Sequence, residues 1–126
     1  MVTLPEPTDV QVATAHPEVA AYWAAAIAAG KAGYRAETMR RQMEECFRRV
    51  PDTKPNYREI REGARRRAAD AATAHEKAVN AMAAAETAAH QVAPAATVRA
   101  RLSMDAYSAR LHQELTAHRR RRRGGA

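Results

Sequence analysis

The longest regular pattern of apolar positions lies in the middle of the chain, from Tyr57 to Val92. Small or apolar residues recur there at alternating steps of four and three, which is the heptad seam of a packed helix. Alanine has the highest helix propensity and the stretch contains no proline, so we predict one long helix over residues 57–92. The seam comprises Ala64, Ala68, Ala71, His75, Ala78, Met82, Ala85, Ala89 and Val92.

A seam of alanines lets a neighbouring helix approach closely, near the lower end of the usual interaxial distance of about 8–10 Å. Each contact buries little apolar area and therefore stabilises the packing only weakly. His75 is the one polar residue in the seam. A polar residue in such a position can fix the register or the oligomeric state of a coiled coil. The alternative is that His75 lies at the edge of the seam and contacts water.

A first helix is predicted before this one, from Pro17 to about Val50. Proline is favoured at the first helical position, and Pro51 cannot continue the helix. A five-residue step between two apolar stripes breaks the helical period just after Gly30 and Gly33, so we predict a kink near residues 30–36. The first stripe is Val19, Trp23, Ile27, Gly30 and Tyr34, and the second is Met39, Met43, Cys46, Phe47 and Val50.

A third helix is predicted from about residue 95 to His118, after Pro94. Residues 1–15 contain Pro5 and Pro7 and are expected to form an extended arm. Residues 119–126 are expected to form a disordered, arginine-rich tail. Because short connections favour antiparallel neighbours, residues 16–118 are predicted to form an all-α, elongated, antiparallel three-helix bundle with alanine-rich, coiled-coil-like packing.

The composition suggests that this bundle has a thin core. The chain has 126 residues, which favours one domain, and only 15 of them are Leu, Ile, Val or Phe. We therefore expect a homo-oligomer or a component of a larger complex. The residues predicted to contact a protein partner are Trp23, Ala71, His75, Ala78 and Met82.

The positive charge is concentrated in two segments of the sequence. The chain has a net charge of +7, to which residues 35–67 contribute +5 and residues 93–126 contribute +6. In an up-down-up bundle both segments would meet at one pole. Arginine pairs with phosphate and releases counterions from nucleic acids, so we predict a polyanion-binding site there. Its residues are Arg58, Arg61, Arg65, Arg66, Arg67, Arg119, Arg120, Arg121, Arg122 and Arg123.

The predicted function is thus a non-enzymatic helical interaction protein whose basic pole contacts DNA or RNA without sequence specificity, as an accessory part of a larger assembly. The alternative is a helical adaptor or assembly subunit that binds only protein. Its basic tail would then aid solubility or dock on an acidic surface.

The sequence contains no motif that nominates a catalytic or metal site. His75 and Glu76 begin like a zinc-protease motif, but Val79 stands where the second histidine would be. Cys46 is the single cysteine, and no cofactor is expected. Since the longest apolar run is too short to span a membrane and the N-terminus lacks a basic region, we expect a cytoplasmic protein.

Overall fold

The computed structural model describes residues 15–124, apart from the side chains of Leu111 and Arg123. These residues form three α-helices, named here α1 (Pro17–Arg49), α2 (Tyr57–Val92) and α3 (Pro94–Gly124), and no β-strand occurs among them. The prediction of an all-α protein is confirmed. The predicted arm lies outside the described residues, except for Ala15, and so do the last two residues of the chain.

The ends of α1 and α2 follow the local chemistry of the sequence. The carbonyl oxygen of His16 accepts hydrogen bonds from the backbone N–H groups of Val19 and Ala20, both at 3.0 Å, at the start of α1. Arg48 and Arg49 lie in its last turn, where the helix dipole favours cations. Pro51 follows directly, and Lys54 donates a backbone hydrogen bond to its carbonyl oxygen at 3.1 Å, which forms the turn to α2.

The connection between α2 and α3 consists of Ala93 alone, because α3 begins at Pro94 and uses the proline as its first residue. Arg101 of α3 nevertheless reaches Glu86 of α2, with 3.6 Å between Nη1 and Oε1. In a straight helix these residues would be about 22 Å apart along the axis. The chain direction therefore changes sharply at this junction.

Helix α3 is longer than the sequence pattern predicts. It continues to Gly124 instead of ending at about His118, so residues 119–124 are helical. No proline or glycine interrupts the chain between His118 and Gly124, and arginine is a good helix former. Cations in the last turn also interact favourably with the negative end of the helix dipole.

The chain packs as two compact units. The central unit is Ala24–Ala84, and the terminal unit combines Met1–Trp23 with Ala85–Ala126, of which residues 15–23 and 85–124 are described.

The core of the terminal unit contains small residues and one tyrosine. Val19 and Ala89 are fully buried, and the Tyr22 side chain is only 3% exposed. Four residues around the start of α3 are also buried, with the Thr97 hydroxyl donating to the Ala93 carbonyl oxygen at 2.8 Å. These four residues are Ala93, Ala96, Thr97 and Ala100.

In the central unit, α1 and α2 contact each other through small residues. Ala29 of α1 and Ala64 and Ala71 of α2 are buried. A Cβ atom added at Gly33 would lie 3.0 Å from Nε2 of His75, so the imidazole occupies the space that the glycine leaves. His75 is half-buried against this part of α1 and thus serves the packing of the chain itself.

The buried face of α1 differs from the apolar stripes that the sequence suggested. Ile27 is 48% exposed and Tyr34 is 75% exposed, whereas Ala29 is only 6% exposed. Val19, Tyr22, Ala26, Ala29, Gly33, Ala36 and Met43 are buried or half-buried and follow heptad spacing, and Met39 and Cys46 of the second stripe are also half-buried. The kink near residues 30–36 stays a prediction.

Candidate nucleic-acid interface

Four of the five arginines of α1 are paired with neighbouring carboxylates, and the fifth, Arg35, is exposed and in no ion pair within residues 15–124. Arg40 and Arg41 both contact Glu37, at 2.5 Å and 3.1 Å, and Arg40 also pairs with Glu44. The hydrogen bond from Arg40 lowers the pKa of Glu37, and Glu37 in turn raises the pKa of Arg40. Near the end of the helix, Arg48 and Arg49 share Glu45, at 2.6 Å and 2.5 Å. These four arginines therefore add little free positive charge to the surface.

Arg61 of α2 has a structural role. Its Nη2 donates a 2.9 Å hydrogen bond to the carbonyl oxygen of Val50 and contacts Oδ1 of Asp52, also at 2.9 Å. The same guanidinium lies over two aromatic rings, 5.8 Å from the centroid of Phe47 and 5.2 Å from that of Tyr57. Since Nε is also buried, Arg61 presents little of its charge to a ligand and instead links α2 to the end of α1.

The other predicted basic residues of α2 fall into two groups. Arg65 pairs with Glu62 at 2.7 Å, and this hydrogen bond lowers the pKa of Glu62. Arg58 is exposed and donates a 2.9 Å hydrogen bond to the hydroxyl oxygen of Tyr57. Arg66 and Arg67 are exposed, and no carboxylate of residues 15–124 forms an ion pair with either of them. Of the five predicted residues on α2, these two and Arg58 retain accessible charge.

The last helical segment of α3 carries the densest accessible charge. The side chains of Arg119, Arg120, Arg121 and Arg122 are exposed, and within residues 15–124 none of the four forms an ion pair. Arg123 is helical, but its side chain is not among those described. Successive helical residues point about 100° apart, so these four arginines project from all sides of the helix. The arrangement can neutralise phosphates in several directions.

These two basic groups belong to different packing units. Arg58, Arg66 and Arg67 are in the central unit, and Arg119–Arg122 are in the terminal unit. That they meet at one pole stays a prediction from the sequence.

The predicted partner-contact residues are partly used within the chain. Ala71 is buried, while His75, Ala78, Met82 and Trp23 are half-buried. Large apolar side chains are also exposed on α3, where Val98 is 48% and Leu102 is 62% exposed.

A polar contact in the terminal unit was not foreseen in the sequence. The Tyr22 hydroxyl faces the Glu86 carboxylate, which pairs with Arg101. Burial, together with this carboxylate, raises the pKa of Tyr22 to about 12. The contact joins the start of α1, the end of α2 and the start of α3.

Potential catalytic and metal-binding groups are scattered. Cys46 is half-buried, and its Sγ lies 4.0 Å from the carbonyl oxygen of Ile60. Among the described residues, no three His, Cys, Asp or Glu side chains are placed to hold a metal ion together. Nor does any helix in that part of the chain combine the length and apolarity needed to cross a membrane.

The fold and this surface define the molecule only as an all-α protein with an exposed, arginine-rich helix end. The chain matches no protein-family model, no curated protein and no solved structure.

The sequence pattern overestimated the basic surface of α2 because it treated every arginine between residues 58 and 67 as available. Two local signals would have corrected this. Glu62 precedes Arg65 by three residues, which is a pairing distance on a helix. Arg61 follows Tyr57 by four residues and faces the turn after Pro51, where the last carbonyl groups of α1 need donors.

Proposed function

We propose that this chain is a non-enzymatic helical interaction protein whose arginine-rich C-terminal segment binds nucleic acid or another polyanion. It would act as an accessory part of a larger assembly. The observation that carries the proposal is the contrast between compensated and uncompensated arginines. Four of the five arginines of α1 and two of those on α2 are engaged by carboxylates, whereas Arg119–Arg122 are exposed and have no such partner within residues 15–124.

The helix end is suited to phosphate because guanidinium groups form two parallel hydrogen bonds with it and remain charged at any physiological pH. Arg119 and Arg122 lie three residues apart on the helix, where like charges repel each other, and a bound polyanion would relieve this repulsion. Binding of this kind depends on counterion release and carries no sequence preference. A cytoplasmic location and self-association are further parts of the proposal.

We further infer that α1 and α2 run antiparallel in the central unit. The contacts that support this join residues at similar distances from the turn. Gly33 meets His75, and Cys46 meets Ile60. Such a pair of helices forms a helical hairpin within the central unit.

The test is a titration with nucleic acid over a range of salt concentrations, comparing the full chain with a chain that ends at His118. Each phosphate contact contributes about −0.9 to the slope of log K against log salt for duplex DNA, so losing four or five contacts should flatten the slope by roughly 4. A truncated chain that binds with an unchanged slope would rule out the C-terminal segment as the site.

The alternative function is a helical adaptor that binds only protein. The exposed Val98 and Leu102 on α3 favour it, because a protein partner would cover them. This function predicts no nucleic-acid binding even at low salt. It also predicts that Leu102→Glu abolishes a protein complex, while removal of residues 119–126 does not.

A further inference from the structure

The outer part of α3 is a helix with little buried surface. From Ser108 to Arg122, every residue whose side chain is described is exposed, except Thr116 and Ala117, which are half-buried. This stretch and the residues up to Gly124 remain helical. At 1.5 Å per residue, the segment from Ser108 to Gly124 projects over about 25 Å, with a diameter of about 10–12 Å including side chains. Residues 108–124 therefore form a largely exposed, rod-shaped helical segment with arginines near its C-terminal end.

The chemistry of this segment distinguishes between kinds of nucleic acid. Proteins that hold single strands combine basic grooves with aromatic side chains on which unpaired bases stack. No Phe, Tyr or Trp occurs after Tyr107, so the segment has no such stacking group. Single-stranded nucleic acid would gain only charge neutralisation from it.

A duplex of the B form matches the rod in shape and in charge. Its major groove is about 12 Å wide and admits an α-helix. Phosphates border the groove on both sides, and Arg119–Arg122 project in directions about 100° apart. A helix lying in the groove could therefore contact both strands at once. The major groove of an A-form RNA duplex is too deep and narrow for this arrangement.

We propose that the end of α3 binds B-form duplex DNA by lying in the major groove as a helix, with Arg119–Arg122 contacting the phosphates of both strands. This inference rests on the proposed polyanion-binding function and adds to it the class of partner. It requires the helical conformation of the segment as well as its charge.

The test separates conformation from charge by a substitution just before the arginines. His118→Pro breaks the helix there, since proline removes a backbone donor and clashes with the preceding turn, but it keeps every arginine. His118→Ala is the matched control, because it removes the same side chain and preserves the helix. Both variants and the unaltered chain are titrated with a mixed-sequence DNA duplex, with one of its strands alone, and with vesicles of anionic lipid.

Counterion release alone gives the duplex an advantage of about 5-fold over the single strand for four contacts at 0.1 M salt, whatever the conformation of the segment. The unaltered chain and His118→Ala should exceed this advantage. His118→Pro should keep only this advantage and should bind the duplex more weakly than His118→Ala does. Circular dichroism of each variant checks that the rest of the chain keeps its helix content. Addition of duplex should raise the helix signal of the unaltered chain or leave it unchanged.

Three results would overturn the inference. These are equal affinity for duplex and single strand, unchanged duplex binding by His118→Pro, or tighter binding to vesicles than to duplex. Replacement of Arg119–Arg122 by alanine tests the underlying function separately. If that replacement abolishes binding while His118→Pro binds normally, the polyanion function stands and the groove-bound helix is wrong.

Discussion

Arg61 and Arg65 lie about one turn apart on α2, yet their guanidinium groups have different surroundings. Arg65 pairs with Glu62 on an exposed surface. Arg61 is hydrogen-bonded to the end of α1 and packs on Phe47 and Tyr57. Its ion pair with Asp52 adds little, because the aspartate side chain is 75% exposed. The stabilising interactions of Arg61 are therefore its contacts with the carbonyl group and the rings.

We predict that Arg61→Ala lowers the free energy of unfolding by roughly 1–3 kcal/mol, from one charged hydrogen bond and two cation–π contacts. Arg65→Ala removes the same side chain from an exposed i,i+3 pair and should cost less than about 0.5 kcal/mol. Urea unfolding followed by circular dichroism measures both. Equal costs for the two substitutions would show that the contacts of Arg61 do not stabilise the turn.

The two glycines in the middle of α1 should respond differently to alanine. Gly30 has no neighbouring atom within 4 Å of an added Cβ, so Gly30→Ala should stabilise the chain by up to about 1 kcal/mol through helix propensity. At Gly33 the added Cβ would crowd Nε2 of His75 at 3.0 Å. Gly33→Ala should therefore gain less than Gly30→Ala, or should destabilise the chain, in the same unfolding measurement.

The control for this comparison is the His75→Ala background, in which the crowding atom is absent. There, Gly33→Ala should gain about as much as Gly30→Ala. If Gly33→Ala already matches Gly30→Ala in the presence of His75, the imidazole moves away at no cost, and the contact does not restrict the approach of the helices.

At the level of whole helices, the sequence predicts where the helices lie better than it predicts which face of each helix is buried. The starts of α1 and α2 are marked by Pro17 and by the turn after Pro51, which are local signals. The buried face of α1 differs in part from its apolar stripes, because size does not decide which side chains lie inside. With an alanine seam on α2, close approach buries Ala29, leaves Gly33 half-buried and leaves Ile27 and Tyr34 exposed.

The end of α3 shows a second limit of the sequence pattern. Apolar periodicity fades before His118, so the pattern predicts that the helix ends there and that residues 119–126 are disordered. The helix continues to Gly124 because propensity and the helix dipole favour it even without a buried face. The accessible charge could be predicted from the arginines alone. The helical conformation of residues 119–124 could not be predicted from the hydrophobic pattern, because this segment has no apolar periodicity.

The contact between Tyr22, Glu86 and Arg101 makes the three helix segments of the terminal unit sensitive to alkaline pH. Burial and the Glu86 carboxylate raise the pKa of Tyr22 from 10.0 to about 12. Arg101 opposes this rise, and Asp105 adds to it. Because the pKa of Tyr22 is higher in the folded chain than in the unfolded chain, the protonated hydroxyl stabilises the folded state relative to the ionised one. This contribution is fully present below pH 10 and is lost as the pH rises through about 12.

We predict that the free energy of unfolding decreases between pH 10 and 12 by about 1–3 kcal/mol more than in Tyr22→Phe, which has no hydroxyl to ionise. Urea titrations at several pH values in this range measure the difference. Tyr34→Phe is the matched control, because the Tyr34 side chain is 75% exposed. A pH dependence that is identical in Tyr22→Phe and the unaltered chain would contradict the assignment.

At the scale of the whole molecule, net charge and usable charge are different quantities. The chain has a formal net charge of +7, but many of its arginines are paired with carboxylates along α1 and α2. An ion pair adds nothing to the field at a distance, whereas an unpaired cluster attracts counterions that a polyanion can replace. The position of the removed charges should therefore matter more than their number.

This difference gives a prediction with charge-matched variants. Replacing Arg119, Arg120, Arg121 and Arg122 by alanine, or replacing Arg40, Arg41, Arg48 and Arg49 by alanine, removes four positive charges in either case. The first variant should lose most of its affinity for duplex DNA and flatten the salt slope by roughly 4. The second removes no proposed phosphate contact, so it should leave the salt slope unchanged and lower the affinity less, although it uncovers the carboxylates of Glu37, Glu44 and Glu45. Equal loss in both variants would mean that binding follows net charge alone, and the helix end of α3 would then have no special role.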